Sequence, residues 1–280
     1  GVALNDLGQG TDGQLWGGEF ARVDYRQFQR LGCFKPVALL GGERAPREPW
    51  RDTYAHLMAE LKWPAFTMNY AELPLHAFLA GKPRERLDAM LRQGIDSPLA
   101  SSCGRLFDAV AAALGLCRDR ADHEGQGAML MEACVDHAVL QHEDEALAYP
   151  FAIPRLAGSG LPYIEPLAMW TALLGDLILH TPVPTMAARF HKGLAATIVR
   201  MVHQLAQAQP TPLRHVALSG SVFQNRVLHE RVAQGLRAAG YHVLSHQRVP
   251  CNDGGLALGQ ACVAAALALH PLPQETAPCA

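Results

Sequence analysis

The segment that decides the fold runs from Arg214 to His246, RHVALSGSVFQNRVLHERVAQGLRAAGYHVLSH. Arg214 to Leu218 reads as a short strand, and Ser219-Gly220-Ser221 as a turn. From Val222 to Ala238 the apolar residues Val227, Leu228, Val232 and Leu236 return at helical spacing, which predicts one helix. Gly240 takes the position past its C-terminus, where a left-handed residue ends many helices. Tyr241 to His246 is again strand-like. Strand, helix and strand over about thirty residues make a βαβ unit, whose crossover forces the two strands parallel and puts the chain in the α/β class.

Downstream, Pro250 leads into Asn252-Asp253-Gly254-Gly255 and an apolar stretch, Leu256 to Leu269. That stretch is shorter than the ~20 residues of a membrane span, so it is expected to be a buried core helix. Upstream, the Pro166–Leu179 and Pro184–Gln207 segments read as helices, with Pro182 and Pro184 suited to the first turn of the second. Pro150 to Pro166 is a Pro/Gly-rich connection. Arg47 to His142 is helical in pattern: Trp50, Tyr54, Leu57, Met58 and Leu61 recur at intervals of three and four, as do Leu106, Val110 and Leu114. At the start, Val2-Ala3-Leu4 reads as the end of a strand, Gly8 to Gly13 as a loop, and Leu15 to Val23 as a second strand. A strand with no lead-in suggests sheet partners upstream. Three segments result: 1–45, 46–165, and 166–280 with the βαβ unit.

Three glycine-bearing turns could carry chemistry. In Ser219-Gly220-Ser221 and the following Asn225, a glycine between strand and helix lets backbone approach a ligand, and helix N-terminal amides favour a phosphate. An ordinary β–α turn explains the same residues. In the second turn Asp253 either caps the final helix or, beside Gly254 and Gly255, holds a divalent cation that bridges phosphate oxygens. In the third, Gly104, Arg105 and Asp108 precede Glu124-Gly125-Gln126. Arg105 and Asp108 share a helix face, as an ordinary ion pair would; beside a nucleotide, Asp108 would instead accept from ribose hydroxyls and Gly125 admit the sugar or base.

Composition narrows the partners. With Lys+Arg 24 against Asp+Glu 26 the net charge is -2, which speaks against a broad nucleic-acid or anionic-membrane surface. The seven cysteines form no C-x-x-C pair and read as reduced thiols, mostly buried, of a cytoplasmic protein.

Taken together, GQGTDGQLWGGEF (Gly8–Phe20), GGERAPREPWR (Gly41–Arg51), SPLASSCGRLFDAVAAALG (Ser97–Gly115), His123–Gln126, ARFHKGLA (Ala188–Ala195), LSGSVFQN (Leu218–Asn225) and PCNDGGLALGQA (Pro250–Ala261) resemble, in order along the chain, the Kae1-like domain of HypF carbamoyltransferases. The resemblance implies a two-lobed fold of the actin/Hsp70/sugar-kinase (ASKHA) type, its N-terminal lobe incomplete here and with a helix-rich insertion. It also implies a hydrogenase-maturation enzyme that moves a carbamoyl group from carbamoyl-adenylate to the C-terminal cysteine of HypE. The adenylate would be made from carbamoyl phosphate and ATP by a YrdC-like domain. Under that reading Ser219, Gly220, Ser221 and Asn225 cradle phosphate, and Asp108 with Gly125 holds the nucleoside of ATP or AMP. Asp253 and Asn5 would hold a divalent metal (Mg, Zn or Fe), and His191 would be an acid/base or orienting group unless it is a satisfied core histidine.

The chain departs from the family in three places. The paired H-x-x-x-H metal histidines lie upstream of this sequence's first strand; Asn5 stands where the family has Asp; and Ser221 replaces a usual glycine. By strand alternation, Asp6 would compensate for Asn5 only through a one-residue register shift. The expectation is nucleotide binding without a complete metal centre in this chain alone. An antibiotic O-carbamoyltransferase, a Kae1-type tRNA threonylcarbamoyl enzyme and a HypE-docking module that has lost catalysis are the alternatives. PREPWR and SSCGRLFDAVAAALG favour HypF over the first two; Asn5 and the missing histidines favour the third.

Overall fold

The computed structural model describes residues 1–269, and its centre is one mixed sheet. Two strands, β1 (Val2–Gln9) and β2 (Leu15–Val23), form an antiparallel hairpin closed by Gly10 and Gln14. The predicted loop is therefore shorter, since Gly8 and Gln9 still pair with β2. A strand absent from the sequence reading, β3 (Phe28–Phe34), pairs antiparallel with β2. Its sequence FQRLGCF has no clean apolar alternation, which hides it from a period-two test.

Two-residue strands β4 (Val37–Ala38), β5 (Leu99–Ala100) and β6 (Tyr163–Ile164) extend the sheet. At the far side, β7 (His215–Ser219) and β8 (His242–Ser245) are the parallel pair of the βαβ unit. The main strand order is β4-β5-β2-β1-β7-β8. The three sequence segments thus meet in one sheet, and the parallel β1–β7 pairing, Val2 with Leu218 and Ala3 with Ser219, joins the two ends of the chain.

The helical stretch after the first strands resolves into α1 (Trp50–Glu60), α2 (Trp63–Tyr70), α3 (Pro74–Ala80), α4 (Arg84–Gln93), α5 (Cys103–Ala113), α6 (Gln126–Ala133) and α7 (His137–His142). Every residue of α5 is buried. The alanines at 109 and 111 to 113 keep it slim enough to lie between α1 and the β1–β2 hairpin. After it come α8 (Leu167–Ile178) and α9 (Val183–Gln207). Met186, Phe190, Leu194, Ile198 and Met201 form the buried stripe of α9, at the spacing of one helix face.

Two readings of the C-terminal region need correction. The predicted Val222–Ala238 helix is broken: a 3-10 turn over Ser221–Gln224 ends at Asn225, and α10 (Arg226–Ala238) begins anew with Asn225 as its N-cap. Asn225 favours this cap because its side chain accepts the Leu228 N–H at 2.9 Å. The expected core helix does form as α11 (Leu256–Leu269), but no residue of it is buried, and Leu256, Leu258, Val263 and Leu269 are exposed. Apolar composition marks a helix that gains from burial; it does not supply the element that covers it. Nor are the cysteines mostly buried. All six described are free, but only Cys33 and Cys103 are buried, and Cys279 lies outside the described residues. Among the described residues no helix is long and apolar enough to cross a membrane.

The junction of the two chain ends turns on Gly220. Its φ is 102°, and a Cβ there would lie 2.0 Å from the Leu4 carbonyl oxygen. Gly220→Ala is therefore expected to cost about 2 kcal/mol or more, through left-handed strain and the lost β1–β7 contact. A urea midpoint equal to that of the parent chain would contradict this.

Candidate functional site

Beside that junction lies a cleft of about 300 Å³, lined by Asp6, Gly104, Phe107, Glu124, Gly125, Ala128, Met129, Glu132, Ser221, Val222, Gln224 and Asn225. Three parts of the chain distant in sequence supply it: β1, the region from α5 to α6, and the turn before α10.

Asp6 enters the cleft without a one-residue slip of the whole strand. From Leu4 to Gly8 β1 takes four steps while β2 takes two, from Gly18 to Trp16, so the strand bulges at Asn5-Asp6-Leu7. The bulge suspends alternation, and both Asn5 and Asp6 reach the same turn. Ser221 Oγ donates to Asn5 Oδ1, and it lies 3.1 Å from Asp6 Oδ2. The serine that replaces a usual glycine is thus the donor that ties the turn to β1. Gly104 makes room for this arrangement, because a Cβ at 104 would sit 2.0 Å from Asp6 Oδ1. Ser102, the N-cap of α5, also donates to the Asp6 backbone carbonyl.

Arg105 organises the charge. Its Nη2 lies 3.2 Å from Asp6 Oδ1 and 3.3 Å from Glu124 Oε1, and its Nη1 lies 2.9 Å from Asp108 Oδ2. Burial opposes its charge, yet Asp108, Asp52, Asp6 and Glu124 together hold it above its ordinary pKa. The same burial pushes Asp108 up to about 7 and Asp52 up to about 8, with the Arg105 guanidinium opposing both shifts. Asp108 is buried beneath the cleft and is absent from its lining, as is Arg105. Reaching ribose hydroxyls from there requires Asp108 to leave Arg105.

The amides at the start of α10 are already engaged. Glu132 Oε1 accepts from Arg226 N–H at 2.6 Å and Val227 N–H at 3.4 Å, and Asn225 accepts from Leu228. A carboxylate therefore holds the place where the helix dipole favours an anion. Asn225 lines the cleft but is committed on two sides, since its Nδ2 also donates to His191 Nε2 at 2.9 Å. His191 in turn donates from Nδ1 to the Ala187 carbonyl at 2.7 Å, which makes it the Nδ1–H tautomer. It is wholly buried, and that burial lowers its pKa to about 4. These contacts are those of a satisfied core histidine, and His191 does not line the cleft.

The second glycine turn adjoins the first. Gly220 N–H donates to the Cys251 carbonyl at 2.8 Å, so the Ser219–Ser221 and Asn252–Gly255 turns lie side by side. Asn252, rather than Asp253, accepts the Gly254 N–H as the cap. Asp253 is exposed and, with Gly254 and Gly255, stands outside the cleft lining. Ser219 is also outside the lining; its Oγ accepts from, or donates to, His246 Nε2 at 3.0 Å. Gln126 accepts the Asp122 N–H at 2.7 Å. Of the sequence candidates, Gly104, Glu124, Gly125, Ser221 and Asn225 meet in the cleft; Asp6, weighed only as a register-shifted substitute for Asn5, joins them, and Met129, Glu132 and Gln224 were not singled out.

A divalent metal does not fit the proposed pair. Asn5 Oδ1 is taken by Ser221, and among the described residues no group of three or more His, Cys, Asp or Glu side chains could hold a metal ion.

An open cleft between the hairpin and a parallel βαβ unit, in an α/β domain, is the kind of place where such folds bind ligands. The family described as carbamoyltransferase, Kae1-like domain, second subdomain, matches residues 1–260. The chain is 36% identical to carbamoyltransferase HypF of Rhodobacter capsulatus, over 95% of this chain and 32% of that protein. It is 35% identical to a carbamoyltransferase HypF homolog of Cupriavidus necator, over 100% of this chain and 70% of that protein. A crystal structure of full-length HypF in a phosphate- and nucleotide-bound form superposes with TM-score 0.82 at 29% identity, over 95% of this chain and 39% of that one. The chain belongs to the HypF carbamoyltransferase family and has the Kae1-like fold, and it spans about a third of the length of its full-size relatives.

The buried, neutral His191 has a consequence for stability. Its folded pKa of about 4 lies below the ordinary 6.5, so the unfolded chain binds the proton first as pH falls. Its contribution is whole above pH 6.5 and is lost progressively toward about 4, on the order of 3 kcal/mol. His191→Gln should flatten the acid limb of stability against pH in urea titrations; an unchanged limb would refute the assignment.

Proposed function

We propose that this chain carries the transfer step of a HypF carbamoyltransferase, moving the carbamoyl group of carbamoyl-adenylate to the C-terminal cysteine thiol of HypE in the cytoplasm. A YrdC-like domain would make the adenylate from carbamoyl phosphate and ATP. The observation that carries the reading is the cleft: five residues singled out in the sequence, Gly104, Glu124, Gly125, Ser221 and Asn225, line one cavity of about 300 Å³, a volume suited to a nucleotide.

The step balances simply. The thiolate sulfur attacks the carbamoyl carbon and forms the C–S bond. The C–O bond of the mixed anhydride breaks, and AMP leaves with its electron pair. The chain's part is to hold and orient. Gly125, with open space where its Cβ would be, leaves room for sugar or base. Glu124 at the rim is placed to accept from a ribose hydroxyl. Ser221 Oγ, now turned to Asn5 and Asp6, is a donor that an incoming phosphate would compete for. Glu132 must yield the α10 amides if the phosphate is to use them, and like-charge repulsion from the phosphate would favour that exchange.

AMP or ATP is expected to stabilise the chain, by about 2.7 kcal/mol at a hundredfold excess over Kd. Because Asn5 Oδ1 is taken by Ser221 and no metal-ligating set assembles among the described residues, Mg²⁺ should add little to a thermal shift. Met129→Trp replaces an exposed cleft residue with a larger one and should abolish the AMP shift at unchanged intrinsic stability. Absence of any nucleotide-dependent shift would count against the nucleotide reading. Failure of a peptide ending in the HypE C-terminal cysteine to gain a carbamoyl mass from the adenylate would count against the transfer reading.

A further inference from the structure

The segment GGERAPREPWR has no role in the cleft, yet it builds a second concavity. An open groove of about 430 Å³ is lined by Arg44, Arg47, Glu48, Trp50, Lys82, Asp119 and Arg120, and it shares no residue with the cleft. Four cations face two carboxylates there, a local balance of +2 on a chain whose total is -2. Both carboxylates are engaged: Glu48 by Arg51 at 2.5 Å, Asp119 by Lys82 at 2.6 Å. Among the described residues Arg44, Arg47 and Arg120 have no carboxylate partner.

Local geometry aims these charges. Gly42 to Arg47 is a 3-10 helix, in which residues three apart eclipse one another. Arg44 and Arg47 therefore rise from one edge, while Ala45, fully buried, anchors the neighbouring edge in the core. Arg120 is brought beside them by backbone pairing: Ala121 N–H donates to the Arg47 carbonyl at 2.9 Å, and Trp50 N–H to the Arg118 carbonyl at 3.0 Å. Forked guanidiniums pair bidentately with phosphate oxygens, and several together match a ligand of several charges. Trp50 is not free to stack on a base. It is 4% exposed, with the Arg51 guanidinium and the Lys82 ammonium 4.7 and 4.6 Å from its ring centre.

We infer that this groove is a second ligand site, which binds an oligophosphate group through Arg44, Arg47 and Arg120 without reading a base. The group can come as free pyrophosphate or as the tail of a nucleoside triphosphate. The site lies on the segment that continues to Glu124 and Gly125 of the cleft, four and five residues beyond Arg120.

Calorimetric titration of the purified chain at low salt tests this with pyrophosphate, ATP and AMP. Pyrophosphate should bind the parent chain. R44A/R47A and, separately, Arg120→Glu should weaken it by at least about tenfold, whereas R22A/R26A, which removes the same charge from exposed positions elsewhere, should change it by less than about twofold. Equal affinities for pyrophosphate and ATP identify the oligophosphate as the whole ligand. Tighter ATP binding that is lost in R44A/R47A identifies the triphosphate as its source. No pyrophosphate binding, equal losses in R44A/R47A and R22A/R26A, or a hexaglutamate peptide that binds more tightly than pyrophosphate would overturn the inference. AMP binding should be unaffected by R44A/R47A, so loss of AMP binding alone strikes the cleft and leaves the groove standing.

Discussion

The contact of Gly220 with the backbone of Leu4 is the constraint on which the site depends. It lets a C-terminal turn press against the first strand of the chain, so that β7 pairs in parallel with β1. Once the two ends are joined, the bulge at Asn5-Asp6 faces Ser221, and one serine hydroxyl meets two side chains from the opposite end of the sequence. Gly104 repeats the device from α5, admitting the Asp6 carboxylate where a Cβ would exclude it. The cleft is therefore defined by two absent side chains as much as by those present.

Around this junction the charges are arranged at an electrostatic cost. Arg105 is buried among Asp52, Asp108 and Asp6, with Glu124 at its open end. A guanidinium so placed is retained only because several carboxylates surround it, and of these Asp52 and Asp108 are buried deeply enough to resist ionisation themselves. Removing any one member leaves the others unbalanced, so the cluster acts as a unit in setting where Asp6 and Glu124 stand. His191 and Asn225 serve the opposite end of the cleft by neutral hydrogen bonds. They fix the start of α10 and leave the ligand-facing work to Ser221 and the residues of α6.

Much of this was legible in the sequence because glycine turns beside apolar strands have few alternatives. The βαβ unit, the strands at Val2–Leu4 and Leu15–Val23 and the helices α8 and α9 follow from periodicity and proline placement. Three things were hidden for physical reasons. Strand alternation placed Asp6 on the wrong face, because a bulge is a local departure from the very rule being applied. Glu132 caps α10 from more than ninety residues away, and no local pattern announces a cap supplied by another helix. The exposure of α11 depends on which other surfaces lie over it, and a helix's own composition carries no record of them.

On the two proposed readings, the paired concavities also reconcile anionic ligands with a chain of negative net charge. Net charge governs long-range attraction, which falls off within about 10 Å in ordinary salt. At contact distance, the unpaired groups decide. Beneath the cleft Arg105 is consumed by its own carboxylates, so on the proposed reading specificity there rests on glycine space and a hydroxyl, with the α10 amides joining only where Glu132 yields them. In the groove the carboxylates are the ones consumed, and arginines are left over. On those readings the two sites would take different parts of a nucleotide: space and hydrogen bonds suit a nucleoside monophosphate, whereas surplus charge without a free ring suits a phosphate chain.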